Sequence, residues 1–552
     1  MIYIPETSRA VWTTAVLVLL TGILARFLYS GYIHRRRIRG LPGPPHHPIW
    51  GHLLVMAEMK KLYPADIHPH MYPHLIRKHY NLGDFFYVDF WPVGPQMLVL
   101  ATPEISQRVI NFPKHEIIRP FMKHLTGEHN MVAMEGQEWK TWRSIFNSGF
   151  ALKNMTALVP VIVEEGNVFC DVLQEHAEKA DVFRMEETAT RLTIDVIGRV
   201  ALDIKLDSQR GDNALLDALR SQISWLFDDQ QFNPFKRWRP LRPVAQWWYG
   251  RKMDAYIDNV LDARFPARAK APDASKRKHI IDLALDTYLE DEKGIQAGQK
   301  GNVDSTFKRY AIDQIRTFVF AGHDTTSSTI CYVYHMLSKH PRAHAAVLAE
   351  HASVFGTTDP SLLPSIISSR PHLLNNLPYS LAVIKEVLRL FPPASTIRRG
   401  GDSVLITDPA TGMQWPTFDT MVWVNHFAVH RNQNVWGEDA DEFRPERFLQ
   451  SATKEVPADG WRSFEKGPRN CIGQELALLE TKIIMVMTLA RFNVRTVFED
   501  LKVLEGDGSQ WDPDEFIGEK RKEVLGEEMW QMLKATAKPR QGMPARVEIR
   551  AS

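Results

Sequence analysis

Cys471 closes a broken loop, Phe464-Glu465-Lys466-Gly467-Pro468-Arg469-Asn470-Cys471-Ile472-Gly473, with an arginine two residues before it and a glycine two after. Gly467 and Pro468 interrupt regular structure, so the loop can bend the sulfur towards whatever lies above it. An apolar, helix-forming run follows from Glu475 through Leu476-Ala477-Leu478-Leu479 and Ile483-Ile484-Met485-Val486-Met487. A helix starting there aims free N–H groups and the positive end of its dipole at the sulfur. Such surroundings lower a thiol's pKa and favour a thiolate. One thiolate offered from one side suits haem iron; zinc, which takes about four ligands, fits poorly.

Three other groupings carry candidate chemistry. Ala321-Gly322-His323-Asp324-Thr325-Thr326-Ser327-Ser328-Thr329 interrupts a long apolar-periodic segment with a glycine and a run of hydroxyls, both poor helix material. A helix weak in its middle opens there for function, and Asp324 with Thr325 supplies an acid and a hydroxyl beside the opening. Close packing against a neighbouring helix is the competing explanation. In Trp139-Lys140-Thr141-Trp142-Arg143, the i, i+4 spacing puts Trp139 and Arg143 on one helical face, each with a donor at its tip. Such a pair suits an anion, although Trp and Arg at this spacing also form plain surface stacks. Glu386 and Arg389 are i, i+3 neighbours, a spacing worth only tenths of a kcal/mol at a surface.

The Cys471 stretch resembles the haem-binding signature of the cytochromes P450, with Phe464, Gly467, Arg469, Cys471 and Gly473 all in place. The stretch 321–326 is similar to that family's oxygen-activation motif, and Trp139 with Arg143 to its pair for the haem propionates. Glu386 and Arg389, with Arg447 in Phe443-Arg444-Pro445-Glu446-Arg447-Phe448, resemble its buried Glu-Arg-Arg network, a device that locks the cysteine loop. Arg399 is the expected further propionate partner and Arg398 its rival. The resemblance implies haem b with Cys471 as axial ligand, and a mainly α fold with small β-sheets behind a single N-terminal transmembrane helix.

The 552 residues allow ~3–4 domains on length alone. A haem touched by both Trp139 and Cys471 instead requires one large domain. Hydrophobic residues at 44% and charged residues at 24% describe a globular chain. A net charge of +2 gives no case for nucleic acid. Cys170, Cys331 and Cys471 are odd in number and far apart, so no disulfide framework is expected and the bulk of the chain belongs in a reducing compartment.

Val11 to Ile33 reaches membrane-spanning length if Arg26 snorkels, and His34-Arg35-Arg36-Arg37-Ile38-Arg39 follows it. Positive charge after the span marks the cytoplasmic side, whereas a cleaved signal peptide carries its charge before the apolar run. The expected organisation is an anchor over 1–33 in the endoplasmic reticulum membrane, a basic and proline-rich hinge over 34–48, and a cytosolic haem-thiolate domain over 49–552. Alternation over 85–90 and 97–100 predicts two strands. From 137 to 300 the pattern is helical, with breaks near 265–275 and 294–301. A central helix is expected over 307–337, another over 379–390, and short strands and turns after 494. The acidic part around 505–515 lacks the spacing of a calcium loop.

The resemblance implies a monooxygenase that inserts one atom of O2 into a hydrophobic substrate by hydroxylation or epoxidation, with Asp324 and Thr325 organising proton delivery. No Gly-x-Gly-x-x-Gly follows a strand, so electrons come from a partner, by resemblance an NADPH-dependent flavoprotein reductase. Lys140, Lys153 and Lys466 are candidates for its docking face. The expected pocket segments, 112–134, 318–321 and 394–397, are largely apolar, and the chain resembles fungal microsomal members that tailor secondary metabolites such as polyketides. Alternatives are a fatty-acid or alkane hydroxylase, a haem-thiolate isomerase or dehydratase needing no reductase, and a haem-binding protein without turnover.

Overall fold

The structure is a computed structural model and describes residues 6–64, 66–226, 239–270, 279–289, 304–402, 404–408, 411–450, 456–507, 511 and 523–550. Its first element follows from the apolar N-terminus. A helix of 33 residues, Glu6–Ile38, includes a segment, Val11–Ile38, long and apolar enough to cross a membrane. At ~1.5 Å per residue the whole helix is longer than a ~30 Å hydrocarbon layer, so in a membrane its end would project beyond it.

That end docks on the protein, and the expected boundary at residue 33 falls inside the helix. Phe27 stacks on Trp91 with ring centroids 4.8 Å apart, and Gly31 lies where a Cβ would come within 2.7 Å of the same indole. Arg35 pairs with the buried Asp89 and donates to the Trp91 and Ile49 carbonyls at 2.6 and 3.1 Å. His34 and His46 reach the same carboxylate at 2.9 and 3.0 Å. Burial pushes the Asp89 carboxyl up, but bonds from His34, His46 and Arg35 outweigh it and hold it below the usual carboxylate range. Basic residues suit a helix C-terminus, and Asp89 gives one of them a buried partner, so the helix continues where a hinge was expected.

Asp89 ends the strand Phe85–Asp89, which pairs antiparallel with Gln96–Leu100 as the alternation predicts. Two later strands complete this sheet: Met421–Val424 runs parallel to Gln96–Leu100, and Thr396–Arg399 lies antiparallel on its far side. A three-stranded sheet joins Phe183–Arg184, Pro544–Ile549 and Phe492–Thr496. Near the C-terminus, Gln531–Lys534 and Thr536–Pro539 form a hairpin.

A further two-stranded sheet pairs Leu405–Thr407 with Gln414–Pro416, and helices pack around a hydrophobic core whose members run from Met122 to Val547. Sequence-distant parts of the described chain therefore share one core. The central helix, Ser305–Lys339, is buried over most of its course and is continuous through the hydroxyl run. The expected opening is absent. Thr325 donates back to the Ala321 carbonyl at 2.9 Å and Thr329 to that of Thr325 at 2.9 Å, so the hydroxyls satisfy themselves within the helix. Gly322 serves packing, since a Cβ there would meet Ile197 of the helix Met185–Ile197 at 3.1 Å. The break expected near 265–275 is displaced as well: Arg242–Lys270 is one helix with Pro266 inside it. The break at 294–301 and the acidic residues 512–515 lie outside the described residues.

Candidate active site

The cysteine loop is shaped by one glycine and one backbone bond. Gly467 has φ +75° and a Cβ on it would stand 2.5 Å from Ile110, so only glycine fits. The Cys471 N–H donates to the Phe464 carbonyl at 2.8 Å, which closes the turn. The helix Gln474–Leu489 starts three residues after the cysteine, as expected. Cys170 and Cys331 are buried, whereas Cys471 is accessible although protein surrounds it, so its thiol borders an internal space. The expected lowering of its pKa is not what the unliganded loop produces. Burial pushes the thiol up, against the Gly473 N–H and the Arg143 guanidinium. A coordinating metal deprotonates a thiol outright, so the thiolate belongs to the loaded site.

Glu386, Arg389 and Arg447 meet as the sequence suggested, all buried. Arg389 grips Glu386 with two bonds of 2.7 and 2.8 Å, and Arg447 reaches the same carboxylate at 3.0 Å. The remaining Arg389 donors go to the carbonyls of His430, Ala440 and Glu442. Two bonds to this helix, Pro378–Leu390, and one to His430 hold the segment that leads into the cysteine loop. Trp461 donates to the Lys385 carbonyl at 3.0 Å, Ser463 to that of Leu388 at 2.9 Å, and the Arg462 N–H to His430 at 2.9 Å.

Trp139 and Arg143 lie on the helix Gly136–Asn147 but divide their work. Arg469 stacks over the Trp139 ring at 3.9 Å and donates to the Met134 carbonyl at 2.7 Å. Arg143 instead clamps Asn470, next to the cysteine, through the carbonyl and side-chain oxygens at 2.9 Å each. Arg399 requires a correction. Side chains alternate along Thr396–Arg399, and Arg399 turns outward to pair with Glu116, at 53% and 78% exposure. Arg398 turns inward, is 2% exposed, and leaves its Nε and Nη2 without partners among the described residues. Lys114 lies opposite it in an isolated bridge. Burial, then Arg398 and Arg469, lower the Lys114 pKa to about 7. Orphaned buried donors within a crowd of cations fit the two carboxylates of a haem, so the residues present suit the group.

Along the central helix Ala321 is exposed and Thr325 partly so, one turn apart in an otherwise buried stretch, so this face also borders a space. Asp324 points elsewhere. The Lys538 ammonium lies 3.0 Å from its carboxylate and 2.6 Å from that of Glu186, and donates to Ser327 at 2.9 Å. Thr536 donates to the second Asp324 oxygen at 2.5 Å. A cavity of about 640 Å³, lined in part by Glu186, Arg220, His323, Asp324 and Lys538, adjoins this cluster. Glu186, Thr536 and Lys538 were invisible in the sequence, because ion pairs between distant segments have no spacing rule.

Comparison with known proteins agrees with this geometry. The family model described as Cytochrome P450 matches residues 41–508. Cytochrome P450 monooxygenase polC of Polytolypa hystricis is 33% identical over 549 residues, covering 98% of this chain and 96% of that protein. Cytochrome P450 monooxygenase acrF of Aspergillus aculeatus is 35% identical over 509 residues, covering 87% and 97%. The crystal structure of a cytochrome P450, CYP102L1, superposes with a TM-score of 0.69 at 19% identity, over 92% of this chain and 99% of that one. A family model over most of the length, and fungal relatives aligned almost end to end, make this chain a member of the cytochrome P450 family, whose monooxygenases hold haem through a cysteine thiolate.

Proposed function

We propose that this chain inserts one atom of O2 into a C–H or C=C bond of a hydrophobic secondary metabolite, such as a polyketide, while the other atom leaves as water. Two electrons come from an NADPH-dependent flavoprotein reductase, and two protons are consumed. The carrying observation is Cys471, accessible from an internal space at the start of the helix Gln474–Leu489. The thiolate-bound haem supplies oxygen activation, because a thiolate pushes electron density to the iron and favours O–O cleavage. Arg398, Arg469 and Trp139 would hold the haem propionates, and Arg143 fixes Asn470 beside Cys471. Thr325 offers a hydroxyl at the accessible face of the central helix, and Asp324, one residue earlier, holds a carboxylate on the side of the cavity. Together they carry protons inward.

The similarity to fungal monooxygenases supports a tailoring role, and the buried Met122, Met131 and Met134 beside the expected pocket support an apolar substrate. The helix Glu6–Ile38 anchors the protein in the endoplasmic reticulum membrane with residues 49–552 in the cytosol; the basic run Arg35-Arg36-Arg37 supports that orientation. Lys140 and Lys153, both exposed, and Lys466 in the cysteine loop suit an acidic reductase surface.

Replacing Cys471 by Ser or His tests the ligand. Either variant loses the red-shifted absorption band of the reduced carbon monoxide complex, and its retention in Cys471→Ser rules the assignment out. Substrate-dependent NADPH consumption with added reductase separates a monooxygenase from an isomerase and from a haem carrier. Asn154, in the sequon Asn154-Met155-Thr156, remains unglycosylated in this topology, and endoglycosidase-sensitive mass there reverses it.

A further inference from the structure

Glu465 sits in the cysteine loop six residues before Cys471, with φ +58°, a conformation uncommon outside glycine, asparagine and aspartate. Its side chain is 9% exposed. One carboxylate oxygen accepts from Arg462 and from the Lys466 N–H, and the other from His426 at 3.2 Å. Thr396 bonds to it as well, two residues before Arg398 on the same strand. The carboxylate thus joins the cysteine loop, the helix His426–His430 and the strand that carries Arg398. Although burial pushes this carboxyl up, His426, Arg462 and Thr396 outweigh it and hold the group well below the ordinary range, so it is charged. Its field reaches further: Glu465 is an electrostatic partner of Arg398 and of Lys114 without an ion pair to either.

The charges divide unequally. Arg462 and His426 have an internal anion in Glu465, whereas Arg398 keeps two donors unpartnered among the described residues. We infer, on the reading of Cys471 as the iron's ligand, that Glu465 is a positioning residue of the haem site: it sequesters Arg462 and His426, leaves Arg398 and Arg469 for the propionates, and lowers the reduction potential of the iron by its fixed negative charge. A buried anion beside a redox centre opposes the arrival of an electron, because Coulomb terms in a low-dielectric interior are screened weakly.

Glu465→Asp and Glu465→Asn separate charge from structure, since both side chains are short, both tolerate a left-handed backbone, and only one is ionised. The measurements are the ferric–ferrous midpoint potential of the purified holoenzyme at pH 7 and the rate of haem transfer to apomyoglobin. The expected result is a wild-type-like potential in Glu465→Asp and a more positive one in Glu465→Asn. Haem held by the Asp variant and lost from the Asn variant also supports the charge role. Equal potentials in the two variants overturn it, as do equal haem loss from both and better retention by Asn. A wrong ligand assignment appears separately, as an unaltered carbon monoxide band in Cys471→Ser.

Discussion

Two buried ionic networks stand at opposite ends of the chemistry and are built on different plans. Glu386, Arg389 and Arg447 are sealed: every oxygen of Glu386 is bonded, and the spare Arg389 donors end on three backbone carbonyls. Glu186, Lys538 and Asp324 instead meet at the wall of a cavity of about 640 Å³, with one ammonium shared between two carboxylates. The first arrangement can only hold shape. The second has charge next to space, and a proton or a water can enter without unfolding anything. A network that serves structure is closed on backbone; one that can serve proton traffic keeps a wet side.

The largest effect falls on the sealed network. Glu386→Ala strands two arginines away from water, at a cost of about 3–5 kcal/mol for breaking a buried pair. The segment leading into the cysteine loop hangs from this helix by the bonds of Trp461 and Ser463. The variant is expected to accumulate little haem-loaded protein, read as haem absorbance per mole of polypeptide. Normal accumulation with full haem and failed turnover gives the network a catalytic role and erases the contrast.

Lys538→Met tests the open network and has a smaller expected cost, because Asp324 keeps the Thr536 bond and Glu186 keeps Thr190 at 2.8 Å. The sign of its pH dependence is diagnostic. In the wild type, burial raises the Glu186 carboxyl, but Lys538 outweighs burial and holds it below its ordinary value. That contribution is present above the unfolded pKa and is lost as pH falls through the folded one. Without Lys538 burial governs, the folded pKa rises above the unfolded value, and stability is lost as pH rises. Thermal midpoints at pH 5.5 and pH 8 read this: the deficit of Lys538→Met against wild type is larger at pH 8. A deficit independent of pH means that Lys538 only packs.

The two networks also differ in how far the sequence announces them. Glu386 and Arg389 share one helix, and Arg447 lies in the separate stretch 443–448, so spacing identifies the first two and the family resemblance the third. The partners of Asp324, Thr536 and Lys538, come from a hairpin whose packing no periodicity reveals, and Lys538 also joins Glu186 of the helix Met185–Ile197. Asp324 itself was legible, but its direction was not. The hydroxyl run was read as a weak point because propensity penalises it, yet Thr325 and Thr329 bond back within the helix and keep it whole. Arg398 and Arg399 were adjacent candidates, and the choice needed the phase of a four-residue strand set by its partner Met421–Val424. The long apolar N-terminal helix was legible from composition, whereas its docking on Asp89 depends on a strand some fifty residues away.

Thr325→Ala and Asp324→Asn probe the proposed proton route beside the open network. Both variants keep the Lys538–Glu186 pair, so haem content stays close to wild type; Thr325→Ala also keeps the thermal midpoint, whereas Asp324→Asn gives up its own ion pair with Lys538 and lowers it. In Thr325→Ala the hydroxyl at the accessible face is gone, and product per NADPH falls while peroxide rises. Asp324→Asn slows turnover, since an amide cannot relay a proton as a carboxylate can. Wild-type coupling and rate in both variants would take this pair out of the mechanism and favour the isomerase reading.

The smallest effect belongs to an arginine outside both networks, and it tests whether burial rather than charge makes a cation functional. Arg399 and its partner Glu116 are exposed, and such pairs contribute about 0–1 kcal/mol, reduced further by salt. Arg399→Ala is therefore expected to leave haem transfer to apomyoglobin and the thermal midpoint nearly unchanged. Its neighbour has no such freedom. Arg398 is enclosed, donates to the Phe112 carbonyl at 3.3 Å, and holds two further donors with no partner among the described residues. Unsatisfied buried donors are costly, so the strand retains this arginine inside only if an anion meets it there. Arg398→Ala is expected to speed haem loss several-fold, whereas Arg399→Ala does not. The reverse order would return the propionate to Arg399 and mean that the strand Thr396–Arg399 changes phase when haem binds.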